Sequence, residues 1–439
     1  MKLLVNQIFE NKEAAALPGL LESGGLPALV SGLSAVHRAN LAAGLRLKTG
    51  APLFVLCPDD TTAENFANDL RSMLGEEVTC LGMRDFTFYS TEAASRQAEQ
   101  KRLAALFTLA EGRSAVTVAS IPGLLQRTIP PETLRRAAFE IDAGGSYPIE
   151  DVEAALLRCG YTRTEQVEGA GQFARRGGIL DFFSPSEHEP VRIEFWGDDV
   201  DSMGHFDVAS QRRTEPLERC VILPAAETLP EMTAGGRDAL YREIESFADK
   251  YGRRRTSENA AALCATLRAD ADRLRGAALI SDADRYLPII YPMASAADYI
   301  PEDALIIFDQ PGRCGERARD YTKQLAEDIR ELTRRGVLVA GSVLSELGSA
   351  DKAVGGFSGI HGRGLHSRAQ PPAAADDNQH PRKAAAVLRG QRAGGGGRRG
   401  AVSQAGLPRG GSCGGRAACQ GTAGILRRQG YQGADISGA

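Results

Sequence analysis

The stretch FARRGGILDFFSPSEHEPVRIEFWGDD, residues 173–199, decides how this chain is read. The runs GGILDFF and VRIEFW are short, rich in β-branched and aromatic residues, and separated by turn-forming residues, which is the pattern of paired β-strands. In an extended strand Arg192, Glu194 and Trp196 share one face, while Val191, Ile193 and Phe195 share the other. With the aliphatic face in a core, the only tryptophan of the 439 residues points outward beside Arg192, and Arg175 and Arg176 lie just upstream. An indole supplies a large apolar area and a guanidinium a planar donor fork, the composition of an interface hot spot. The residues alone leave a second reading open, in which Trp196 packs on a neighbouring domain and Arg192 pairs with Glu194.

Working outward, the chain before this stretch alternates strand and helix. PALVS (27–31), PLFVLC (52–57), VTCLG (78–82) and SAVTVAS (114–120) are strand-like, and helical periodicity lies between them, with Leu103, Leu106, Phe107 and Ala110 on one stripe and Gly112 as a stop. Such alternation predicts a parallel sheet with helices on its faces. From about Ile141 short strands and one short helix, DVEAALLRCGY, predict a small α+β insertion that ends near Pro230. ALIIFD (304–309), the amphipathic helix that follows it and VLVAG (337–341) then resume the α/β pattern. The expected organisation is therefore an α/β domain over 1–140 and 231–350, an inserted domain over 141–230, and a tail over 351–439.

The tail is a different kind of sequence. Residues 355–439 hold 12 Lys/Arg, 3 Asp, no Glu and 21 glycines, so they carry +9 against −13 for the rest of the chain. Apart from fragments such as AAAVLRG, this composition cannot bury enough apolar surface to offset chain entropy, and disorder is expected. The abrupt change near Gly355 is also what translation of a GC-rich coding region in a shifted frame would produce. No run approaches the eighteen or so apolar residues of a membrane span, and the N-terminus lacks the order of a secretory signal, so a cytoplasmic location without membrane contact is the expectation. The eight cysteines form no CxxC or Cys/His cluster, which supports neither zinc nor a disulfide framework.

Residues 173–212 resemble the N-terminal part of bacterial transcription-repair coupling factor (Mfd). The Arg-Gly-Gly-Ile-Leu-Asp core, the Arg-x-Glu-Phe-aromatic strand, the Gly-Asp-Asp-Val-Asp-Ser turn and the Phe-Asp-Val-x-Ser-Gln-Arg ending carry the resemblance, which extends more weakly over residues 1 to about 350. It implies a degenerate helicase-type layer like that of the excision-repair protein UvrB, with the insertion as docking site for UvrA. Arg176, Arg192 and Trp196 match the family's contact positions, Trp196 standing where Phe is usual. Full-length family members continue into an RNA-polymerase-binding domain and a translocase on double-stranded DNA. The tail resembles neither, so the resemblance implies a truncated chain that binds UvrA constitutively.

Catalysis is not expected. No GxxxxGK[ST] phosphate loop is present. Where UvrB-like proteins carry that loop, VSGLSAVHRANLAAGL (30–45) has Val36 at a glycine position, His37 for the lysine and Arg38 for the hydroxyl. The Asp-Glu pair that would hold magnesium and activate water reads Asp309-Gln310, and an amide accepts no proton; a turn-capping role for Asp309 is the simpler account. No cofactor or metal is expected: His188 reads as loop, and Asp198, Asp199 and Asp201 as a hairpin turn. The alternative is a nucleotide-dependent DNA-remodelling ATPase that retains weak ATP binding. Against DNA contact by the body stand its negative charge and the short segment between DFTFYS and RQAEQKRLAAL, which leaves no room for UvrB's long aromatic hairpin.

Overall fold

The computed structural model describes residues 5–23, 27–86, 96–253, 258–276, 280, 283–338, 365–368 and 387–389. In chain order the strands are β1 (Ala28–Ser31), β2 (Leu53–Cys57), β3 (Thr79–Leu81), β4 (Val116–Ser120), β5 (Phe139–Asp142), β6 (Thr162–Arg163), β7 (Gln172–Arg176) and β8 (Ile179–Phe182). They continue with β9 (Val191–Trp196), β10 (Asp199–Phe206), β11 (Arg213–Pro216), β12 (Arg219–Ile222), β13 (Leu305–Asp309), β14 (Leu365–Arg368) and β15 (Val387–Arg389). The longer helices are α1 (Ala35–Thr49), α2 (Asp60–Leu74), α3 (Gln97–Ala110), α4 (Ile149–Arg158), α5 (Gly236–Arg253), α6 (Glu258–Arg275) and α7 (Pro311–Arg334).

The α/β layer is a seven-stranded parallel sheet in the order β15-β1-β14-β13-β2-β4-β3. β2 and the first four residues of β13 are apolar without alternation, because both faces are covered. Leu53, Val55 and Cys57 of β2 and Leu305 and Ile307 of β13 enter one core with α1 and α2. The alternate residues Phe54, Leu56, Ile306 and Phe308 enter the other, with α3, α5, α6 and α7. Leu53 pairs with Leu305, which joins the segments before and after the insertion in one sheet.

Two short segments of the tail are described, and both lie in this sheet: β14 pairs with β1 and β13, and β15 with the free side of β1. The rest of 351–439, expected to be disordered, lies outside the described residues, as do residues 87–95 of the segment expected to be too short for a DNA-gripping hairpin. Of the expected strand VLVAG, Val337 and Leu338 are not in a strand, and the remainder is outside the described residues. Among the described residues no helix is long and apolar enough to cross a membrane.

The insertion builds a six-stranded sheet in the order β11-β10-β9-β8-β7-β6, antiparallel except between β6 and β7. α4 covers one face, and Leu180, Phe182, Val191, Ile193 and Met203 pack there with Val152 and Leu156. β5 and β12 form a two-stranded ribbon apart from this sheet, so RCVILPA pairs outside the hairpin stack. The paired glycines of the RGG motif have separate duties. Gly177 adopts φ +62° in the tight turn from β7 to β8, and a Cβ on Gly178 would stand 2.8 Å from the Phe195 carbonyl oxygen of β9.

The insertion is fastened to the layer by buried charge. Glu227, fully buried, lies between Arg84 and Arg102, each with Nε 3.1 Å from Glu227 Oε1. Those contacts are ionic rather than aligned hydrogen bonds; Thr128 Oγ1 donates to Glu227 Oε2 at 2.6 Å. Arg84 also forms a fork with Asp284 at 2.7 and 2.9 Å. Arg102 donates to the carbonyls of Gly82 and Gly123, and the Glu227 amide donates to Glu99 of α3.

Candidate docking face and degenerate nucleotide site

Register places Arg176, Ile179 and Glu194 in one cross-strand row and Asp181 and Arg192 in the next, all on the face of the sheet away from α4. Arg175 points to the opposite face and pairs with Glu150 and Glu153 of α4 at 2.7 and 3.0 Å. The neighbouring arginines therefore part company. Trp196 ends β9 opposite Asp199, before a two-residue turn opened by Gly197 at φ +65°. Its side chain is 83% exposed, more than any other large apolar side chain among the described residues.

Arg192 is committed within the fold. Its Nε and Nη2 donate to the two carboxylate oxygens of buried Asp181 at 2.7 and 2.8 Å. The guanidinium stacks over Phe206, 4.5 Å from the ring centroid, and donates to the Gln211 carbonyl and side chain at 3.2 Å. Gln211 reaches it from a backbone at φ +60°, in a turn closed where the Ser210 amide donates to Asp207. Hydrogen bonding to Asp181 pushes Arg192 above the ordinary arginine value, and hydrogen bonding from Ser210 holds Asp207 below the ordinary carboxylate value. The second reading, an Arg192–Glu194 pair, is replaced: Glu194 accepts from Arg213 at 3.0 Å. Arg176 donates to Asp181 Oδ2 at 2.7 Å and keeps half its side chain in solvent. The Ile-Leu-Asp, Arg-x-Glu-Phe and Ser-Gln-Arg motifs thus meet in one network holding up the sheet that carries Trp196.

Arg192→Ala leaves the Asp181 carboxylate buried with one partner and uncovers Phe206, so a loss of about 2–4 kcal/mol is expected. Arg176→Ala is expected to cost less than about 1 kcal/mol, since that guanidinium is half in water. Urea unfolding of both variants checks the order; equal midpoints would refute it.

In the α/β layer, Gly32 (φ +83°) turns the chain between β1 and α1. Ser34 caps α1, accepting from the His37 amide, and its hydroxyl lies 3.0 Å from His37 Nδ1. Val36 and His37 are exposed. Arg38 turns inward to form an ion pair with Asp309 and donates from Nη1 to the Leu33 carbonyl at 3.2 Å. The Asp309 carboxylate faces Arg38, with Gln310 Nε2 at 3.4 Å. Gln310 adopts φ +56° and accepts from Arg313 at 3.1 Å. The structure thus brings together Arg38, Asp309 and Gln310, and leaves Val36 and His37 on the surface.

Residues 139–227 match the UvrB interaction domain. This UvrB interaction domain match takes in the whole six-stranded sheet, with Trp196 on its outer face, and ends at Glu227 in the buried charge cluster. The chain is 26% identical to a transcription-repair-coupling factor of Bacillus subtilis over 336 residues, 76% of this chain and 28% of that protein. It is 32% identical to the Myxococcus xanthus protein of the same name over 206 residues, 45% of this chain and 17% of that one. The Escherichia coli protein is 27% identical over 199 residues, again 45% and 17%. The chain thus spans less than a third of the length of these relatives. Sequence reasoning missed Asp181, Phe206 and Gln211 around Arg176 and Arg192; the one signal is their place inside the quoted motifs.

Proposed function

We propose that this chain is a non-catalytic docking module of transcription-coupled nucleotide excision repair, which binds UvrA through the outer face of the 139–227 sheet. The observation that carries the reading is Trp196: a large aromatic side chain held in water on a rigid, ion-paired sheet, inside the segment that matches the UvrB interaction domain. Arg176, tied to Asp181 through Nη2 but half in water, offers its remaining N–H donors on the same face. Arg192 holds Asp181 and Phe206 in place beneath the surface and acts as a positioning residue. The absence of catalysis is supported by the Arg38–Asp309 ion pair, in which a guanidinium stands where the hydroxyl and magnesium of a nucleotide site would meet the carboxylate. Polymerase and double-stranded DNA contacts belong, on this reading, to parts of the relatives that the chain does not span.

Retention of UvrA on the immobilised chain is the direct test, and failure to retain it would remove the docking reading. The non-catalytic half is tested separately by titrating ATP with magnesium. No saturable binding is expected, and binding that His37→Ala abolishes would restore the ATPase alternative.

A further inference from the structure

The end of the sheet away from Trp196 holds a group that the docking reading does not use. His205 lies opposite Val191 at the start of β9, whereas Trp196 and Asp199 close the other end, about 17 Å away at 3.3 Å per residue. Here the β8–β9 loop brings Glu187 and His188 against His205. One ligand atom from each of the three lies within 4.8 Å of the other two. The imidazole rings of His188 and His205 are 4.8 Å apart between centroids, inclined at 60°. His205 Nε2 is 3.0 Å from Glu187 Oε2.

We infer that Glu187, His188 and His205 bind one divalent transition-metal ion of the zinc class, with a water completing a tetrahedral set. Three features support this. His205 is 3% exposed and turns Nε2 to 3.0 Å from Glu187 Oε2, so a buried imidazole nitrogen and a carboxylate oxygen already share one point. The loop is fixed independently: Ser184, itself buried, donates to the Val221 carbonyl and accepts from the Leu223 amide, and the Glu187 amide closes a turn onto Ser184. Finally, two imidazoles and a carboxylate form a donor set that zinc accepts, with an open position toward solvent on the side of exposed His188. Ligands 2.0–2.1 Å from a tetrahedral ion stand roughly 3.4 Å apart. The Glu187–His205 edge is already near that spacing, and rotation of the exposed His188 closes the rest. Cys57, Cys159 and Cys314 do not compete well: burial pushes Cys159 up to about 12 and raises Cys57 and Cys314 as well.

Cobalt(II) titration of the full chain under reducing conditions tests the site. The expected result is one equivalent bound, with the visible absorption of tetrahedral nitrogen and oxygen ligation and no near-ultraviolet thiolate charge-transfer band. His188→Ala, a surface change that leaves the far-ultraviolet dichroism intact, is expected to weaken binding at least tenfold, and Glu187→Gln to weaken it also. No cobalt bound at stoichiometric concentrations, a thiolate band, or unchanged affinity in His188→Ala would each overturn the proposal.

Discussion

Glu227→Ala is expected to lower the stability of the chain by about 3–5 kcal/mol, because it strands two arginines in the interior. Arg84 and Arg102 are both almost wholly buried. Arg84 retains Asp284, but Arg102 is left with backbone carbonyls alone. Burial already draws the Arg102 guanidinium below its ordinary value against the pull of Glu227. At about 2–4 °C per kcal/mol, the first thermal transition should fall by roughly 10 °C. Glu227→Gln keeps the shape and the bond from Thr128, loses only the charge, and should fall part of the way. A midpoint for Glu227→Ala within a degree of the parent would show that the arginines find other partners, and the fastening of insertion to layer would need another explanation.

The second large effect concerns recognition. Trp196→Ala is expected to weaken UvrA binding about thirtyfold, the equivalent of about 2 kcal/mol for truncating an aromatic anchor, while the unfolding midpoint stays where it was. The two readouts separate because Trp196 is in water and has little to lose on unfolding. Trp196→Phe should retain most of the affinity, since the ring face persists. Arg192→Ala is a poor probe of the same surface: it disturbs Asp181 and Phe206, so any loss of binding arrives with a loss of fold. Calorimetric titration with UvrA that returns one affinity for parent and Trp196→Ala would remove Trp196 from the interface.

What the sequence made legible is what depends on period. Alternation alone divides β9 into a buried aliphatic face and an outward one, and the apolar runs at 52–57 and 304–309 read as strands covered on both sides. What it hid is what depends on register. Asp181 and Arg192 meet because β8 and β9 pair as Asp181 opposite Arg192, and no local signal announces that alignment. Arg38 and Asp309 are 271 positions apart and meet only when β1 and β13 enter one sheet, which no local signal announces. His188 and His205 were passed over likewise, since a hairpin, not a spacing motif, brings them together.

The distances along the chain over which these sheets pair have a kinetic consequence. In the six-stranded sheet no partners lie farther apart than Ile179 and Glu194, whereas Leu53 must wait for Leu305. Short-range pairings form fast and long-range ones slowly. On a growing polypeptide the surface bearing Trp196 can thus assemble while β2 still lacks β13, and the partner-binding part matures ahead of the scaffold that will hold it.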